Sequence, residues 1–187
     1  SDFRVLLRRA RLRPDFTFEN FAVSGSNQLA FAAATAVSKN LGSSYNPLFF
    51  YGTVGVGKTH LMQAIGQDIL SAHPGKKTVY LTSEEFTNEF VESIRGKSTS
   101  SFRKKLRGTD ILFIDDVQFF AGKNKVQEEL FHTFNSLVGN EQQVVLSSDR
   151  PPTELEDIEK RLRSRFAGGL TVDIEPPDME LRCAILL

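Results

Sequence analysis

The 187-residue sequence is short of several things, and each shortage closes off a class of protein. A single cysteine, Cys183, excludes an internal disulfide and leaves no thiol companions for zinc. That fits a reducing compartment, with the thiol acting as an inert small hydrophobe. The apolar runs Leu29–Ala34, Leu48–Tyr51 and Ile111–Ile114 are far shorter than the roughly 18 residues a membrane span needs, so a soluble protein without a membrane span is expected. Repeats and low-complexity tracts are missing. So is net charge: 23 basic and 23 acidic residues cancel, and the overall field neither favours nor excludes nucleic acid. Acids are absent between Ser93 and Thr109, where Arg95, Lys97, Arg103, Lys104, Lys105 and Arg107 lie, and they crowd instead at Glu154, Glu156, Asp157 and Glu159. No methionine opens the chain. Arg4, Arg8, Arg9, Arg11 and Arg13 look like an arginine-rich presequence, but no cleavage site is legible, so residues 1–15 read as a linker or the end of a preceding domain.

What is present is enough apolar material, 40%, for one ordinary core. Short apolar runs alternate with helical patterns, the mark of βαβ units and a parallel sheet covered on both faces. Strands are expected at 48–51, 78–82, 111–115, 143–147 and 170–174, and helices near 27–39, 58–71, 84–94, 100–106, 126–137 and 155–166. Gly42, Pro74-Gly75, Gly96, Gly108 and Pro151-Pro152 punctuate them. The core domain is thus expected over 16–175. A last helix, opening at Asp178 after Pro176-Pro177, is expected to run on past Leu187.

Gly52-Thr53-Val54-Gly55-Val56-Gly57-Lys58-Thr59 matches G-x-x-x-x-G-K-[ST] between an apolar strand and a helical run, which is the context that a phosphate-binding P-loop requires. Gly52, Gly55 and Gly57 let backbone N–H groups turn inward as an anion nest, and the following helix offers its positive end. Lys58 adds a charge at the β and γ phosphates, and the Thr59 hydroxyl suits Mg²⁺. The second half of such a site is an acid at the tip of a buried strand, supplied by Ile111-Leu112-Phe113-Ile114-Asp115-Asp116. Two adjacent carboxylates are costly there without a cation. Asp115 would hold the metal through water, and Asp116 would orient or deprotonate the attacking water. A glycine-rich turn and an acidic loop start are the plain alternatives, and the pairing of the two motifs argues against both.

Further stretches resemble one family, the AAA+ ATPase domain of the bacterial chromosomal replication initiator DnaA. They are 16–21 (Phe-Thr-Phe-Glu-Asn-Phe), 45–49, 57–61, 114–120, 131–135, 148–150 and 161–166 (Arg-Leu-Arg-Ser-Arg-Phe), and the likeness runs from about Leu12 to Leu187. The resemblance implies an AAA+ αβα sandwich, a P-loop NTPase with a five-stranded parallel sheet, whose lid subdomain and origin-reading helix-turn-helix would lie beyond Leu187. It implies a weak, switch-like ATPase using ATP/ADP and Mg²⁺. Lys58, Asp116, Asp149 and Arg165 take the catalytic roles, with Asp149 as the γ-phosphate sensor and Arg165 as an arginine finger reaching a neighbouring subunit. Arg161 is its companion. His60 joins the P-loop residues at the nucleotide. Phe21 and Val23, in the segment 16–27 that covers adenine in this family, are base-contact candidates, although such residues serve equally as core staples. Asp149 also reads as an acidic cap after a strand, and Lys160, Arg161, Arg163 and Arg165 as a solvated helical face.

In the same family an extra helical insertion follows the second strand, and here 83–108 occupies that place, carrying the acid-free basic stretch. Bases interleaved with Phe86, Phe90, Val91 and Phe102 have the composition of a single-strand platform. Val91, Lys123 and Lys125 match the family's strand contacts by position, against the alternative of a solvated basic face. Relatives often carry arginine at the position of Lys125, and usually glycine at that of Thr53, whose β-branch restricts the backbone. The implied function is an ATP-switched initiator that forms a filament of its own copies on origin DNA and melts it, in the bacterial cytoplasm at the nucleoid. The alternative is a helicase loader or regulatory homologue on the same ATPase fold. The implied partners are single-stranded DNA, the replicative helicase or its loader, regulatory homologues and, for the full-length protein, acidic phospholipids.

Overall fold

The computed structural model describes residues 2–176; the helix expected from Asp178, and Cys183, lie outside them. Five strands, β1 (Leu48–Tyr51), β2 (Thr78–Thr82), β3 (Ile111–Asp115), β4 (Gln143–Ser148) and β5 (Leu170–Asp173), form one sheet in the order β2-β3-β4-β1-β5. Every neighbouring pair is parallel. Both faces of the central strands are covered, so β3 and β4 are buried at every position, including the polar Asp115, Gln143, Ser147 and Ser148 at their ends.

Side chains alternate between two cores. Phe50, Tyr80, Phe113, Val145 and Val172 face a layer of α1 (Phe3–Ala10), α2 (Gln28–Lys39) and α3 (Lys58–Ala72). Phe49, Leu81, Leu112, Ile114 and Leu146 face α4 (Ser83–Arg95), α5 (Thr99–Arg107), α6 (Asn124–Gly139) and α7 (Lys160–Phe166). The result is the expected three-layer αβα sandwich. α4 starts on a capping box, in which the Thr82 hydroxyl accepts from the Glu85 N–H and the Glu85 carboxylate accepts from the Thr82 N–H.

Residues 1–15, read as a linker or the end of a preceding domain, include α1, which buries Leu7 and Ala10 against α3 and β2 and is followed by the buried Leu12. One expectation needs correcting. The helix expected from Leu155 begins only at Lys160: a 3-10 turn spans Pro152–Glu154, and Asp157 sits at φ 55°, outside the right-handed helical region. The other strand and helix boundaries agree within a residue or two, a scatter normal for helix ends.

Candidate nucleotide site

The site assembles at the C-terminal ends of β1, β3 and β4, where a parallel sheet delivers its loops. A cavity of about 430 Å³ opens there, lined by Gly55, Gly57, Lys58, Thr59, His60 and Asp116 of the expected residues, together with Phe16, Val54, Gln118 and Phe119. Gly57, the N-cap of α3, sits at φ 98°, and a Cβ there would come within 3.0 Å of the Phe21 ring, so only glycine fits. Gly52 is equally confined, since a Cβ would lie 2.3 Å from the Ile174 carbonyl oxygen. Thr53 is exposed and is not among the positive-φ residues, so its β-branch is tolerated.

Lys58 is 7% exposed and folds back over its own loop, its ammonium donating to the carbonyl oxygens of Gly52 and, at 3.1 Å, of Thr53. Burial pulls its pKa below the ordinary lysine value, against the charges of Asp116, Asp115 and Asp149. Beneath it Asp115, 2% exposed, accepts from three hydroxyls: Thr59 at 2.7 Å, Tyr80 and Ser147. Burial, then Asp115, raises the Tyr80 pKa, so the phenol stays a donor. Thr59 of the P-loop and Asp115 of β3 thus already share one oxygen cluster. An adjacent hydroxyl and carboxylate are donors suited to a hard cation that keeps its remaining places for water and phosphate. Among the described residues no group of three or more His, Cys, Asp or Glu could hold a metal alone, so the donor pair fits Mg²⁺ only together with those other ligands.

Asp116 follows at φ 63° and ψ 53°, a left-handed conformation that turns it away from the line of β3. Burial, then the charge of Asp115, raises its pKa above the ordinary carboxylate value. Gln118 bridges the two acidic strand ends: its amide group lies 3.5 Å from Asp116 Oδ1, and its oxygen accepts from the Asp149 N–H at 3.3 Å. The Asp149 carboxylate itself is taken by Arg150 through two contacts of 2.9 and 3.1 Å. Sequence reading missed Phe16, Gln118 and Phe119. Phe16 stacks on His60 with centroids 4.9 Å apart, and the Arg13 guanidinium lies 4.4 Å from the Phe16 ring centroid. Phe21 is buried edge-on to His60, a packing role, whereas Val23 is 47% exposed and does not line the cavity.

The remaining candidates stand apart from this pocket. Arg161 and Arg165 project from α7 over one ring, Phe131, at 4.2 and 5.8 Å, and Arg165 also donates to Asn135 at 2.8 Å. Val91 is half-buried on α4, while Lys123 and Lys125 are exposed at the start of α6. The aromatic platform expected around Val91 is not there: Phe86, Phe90 and Phe102 are 0%, 6% and 7% exposed and pack the α4/α5/α6 core. The basic stretch is also partly neutralised, with Arg103 forked onto the buried Glu129 at 2.8 Å, Lys105 near Glu89 at 3.5 Å and Arg95 on Glu92 at 3.1 Å.

The family model described as the bacterial DnaA ATPase domain matches residues 12–173. The chain belongs to the bacterial DnaA ATPase-domain family. Its structure is similar to domain III of the Thermotoga maritima replication initiation protein DnaA, at 50% identity and a TM-score of 0.91 over 93% of this chain and 72% of that one. It is also similar to AMPPCP-bound DnaA from Aquifex aeolicus, at 42% identity and 0.88 over 94% of this chain. A replication initiator DnaA bound to AMPPCP and single-stranded DNA shares 43% identity and scores 0.85 over 89%. The chain spans about half the length of the latter two, 54% and 51%. DnaA membership makes nucleotide hydrolysis the chemistry to which this geometry is answerable, and it decides against a helicase loader as the family of this chain.

Proposed function

We propose that this chain is the ATP-sensing switch of a replication initiator, binding ATP or ADP with Mg²⁺, hydrolysing slowly, and assembling with its own copies on single-stranded origin DNA when ATP is bound. The observation that carries this is the 2.7 Å bond between Thr59 and Asp115, which joins the P-loop to the acidic strand within a DnaA-type domain. When bound, Mg²⁺ would neutralise charge on the transferring phosphoryl oxygens. The protein's own part is positional. The P-loop N–H groups cradle phosphate. Lys58 leaves its loop carbonyls for the β and γ phosphates, and Thr59 and Asp115 hold the metal. Asp116, its proton affinity raised, accepts the proton of the attacking water or orients it. Asp149 senses the γ-phosphate once released from Arg150.

Arg165 acts in trans. Phe131 and Asn135 support it on an exposed face, so a neighbouring copy's γ-phosphate would meet a guanidinium held in place, with Arg161 beside it. Val91, Lys123 and Lys125 make the strand contacts. The DnaA structure bound to AMPPCP and single-stranded DNA supports both nucleotide and DNA as ligands. Contacts of the longer protein with helicase, loader, regulatory homologues and acidic phospholipids belong to the same proposal, as does a place in the cytoplasm at the nucleoid.

The test is sedimentation of the longer gene product with its lid, in ATP and in ADP. The parent should associate and retain a labelled single strand in ATP alone. Arg165→Ala should bind ATP as the parent does and stay monomeric. An Arg165→Ala variant that assembles as well as the parent in ATP sinks the finger role.

A further inference from the structure

The ends of the sheet are chemically unlike. At the N-terminal ends of β2 and β3, opposite the P-loop, a cavity of about 330 Å³ lies between α1, the turn after α3, the start of β2 and α5. Its size falls at the lower end of ligand pockets, which run from about 300 to 1,000 Å³. Arg9, the adjacent Lys76 and Lys77, and Lys105 reach its wall from three segments of the chain, and no carboxylate lines it. Arg9, Lys76 and Lys77 have no ion-pair partner among the described residues, and Lys105 has only Glu89 at 3.5 Å. Asp110, the residue before β3, accepts from the Lys77 backbone N–H at 2.8 Å.

A second observation is independent of charge. Thr78, 7% exposed, forms part of the same wall, and its hydroxyl has no hydrogen-bond partner. By strand alternation it faces the same layer as Tyr80, the layer of α1 and α3, whose Leu6 and Leu70 also line the cavity. An unpaired buried hydroxyl destabilises the fold, and an entering oxygen would relieve it. The cavity therefore offers a cationic rim, one idle hydroxyl and an apolar floor.

We propose that this cavity is a second ligand site, separate from the nucleotide pocket, for a phosphomonoester whose ester group is a compact apolar body. The rim cations take the phosphate oxygens, the Thr78 hydroxyl pairs with one of them, and Leu6 and Leu70 cover the ester group. Charge-assisted contacts favour the dianion, and the floor sets the ester above the free ion.

The experiment titrates inorganic phosphate and phenyl phosphate into the 187-residue chain carrying Lys58→Ala, which silences the P-loop lysine, and follows backbone amide shifts of residues 76–79 by NMR. Phenyl phosphate should move these amides saturably and bind severalfold tighter than inorganic phosphate. Adding Lys76→Gln with Lys77→Gln should weaken it by about tenfold or more, the effect of losing roughly 1.4 kcal/mol of contact. Thr78→Val, nearly the same shape, should weaken it about threefold without lowering the melting temperature. The assignment is overturned if those amides do not move, if the two probes bind equally, or if either set of substitutions leaves the affinity unchanged.

Discussion

At the residue scale the site is a set of charges and donors held ready against one another. Asp116 shows the cost. Its carboxyl binds a proton more tightly in the folded chain, so the ionised form weakens the fold at every pH above the ordinary carboxylate value of 3.8, fully so once the raised folded value is passed. Asp116→Asn removes that term. The nucleotide-free variant should therefore melt higher than the parent at pH 7, the two melting curves should converge as the pH falls below 3.8, and ATP turnover should be lost throughout. Calorimetry from pH 3 to 8 and a phosphate-release assay check both halves. The P-loop and the Asp115-Asp116 pair were legible in sequence because spacing along the chain defines them. Phe16, Gln118 and Phe119 lie in the family-like stretches 16–21 and 114–120 but were not singled out, since an aromatic or an amide in such a stretch has no chemistry that spacing alone assigns to the pocket. The arginines of the insertion misled for a related reason: Glu129, which takes Arg103, is 26 residues further along.

At the scale of elements, one fully buried amide joins three segments. Gln127 on α6 donates to the carbonyl oxygens of Phe120 at 2.8 Å and Asp157 at 2.9 Å, and accepts from the Glu159 N–H at 2.9 Å. It thereby ties the loop bearing Lys123 to the turn that launches α7 and its arginines. Gln127→Leu keeps the volume but leaves the Phe120 carbonyl and the Glu159 N–H without that partner, so denaturant unfolding should show a loss of about 2 kcal/mol or more. This same contact explains why the helix expected from Leu155 starts late. The backbone there is held by a side chain from elsewhere and turned by the left-handed Asp157, neither of which shows in the apolar spacing of Leu155, Ile158 and Leu162. The strands were easier to place because β1, β3 and the centre of β4 are short apolar runs, a pattern that burial on both faces imposes.

For the whole molecule the unexpected part is α1. Its apolar positions Phe3, Leu6, Leu7 and Ala10 follow helical spacing, but its arginines make the segment resemble a targeting peptide or linker. Leu7 is 2% exposed within the core beside α3, so Leu7→Ala should cost about 2–4 kcal/mol in denaturant unfolding, as for other buried leucines. A loss below about 0.5 kcal/mol would instead make α1 an appendage. Past Ala10 the chain crosses to the other layer, where Arg11 meets Glu85 at 3.1 Å and Glu89 at 2.8 Å on α4. The strand between those two layers is β2, one margin of the sheet. Such a margin carries unpaired backbone groups that can template a foreign strand, and natural folds blunt this by covering it. α1 packs on that margin and the Arg11 strap crosses it, so residues read as a linker or the end of a preceding domain are placed to shield β2.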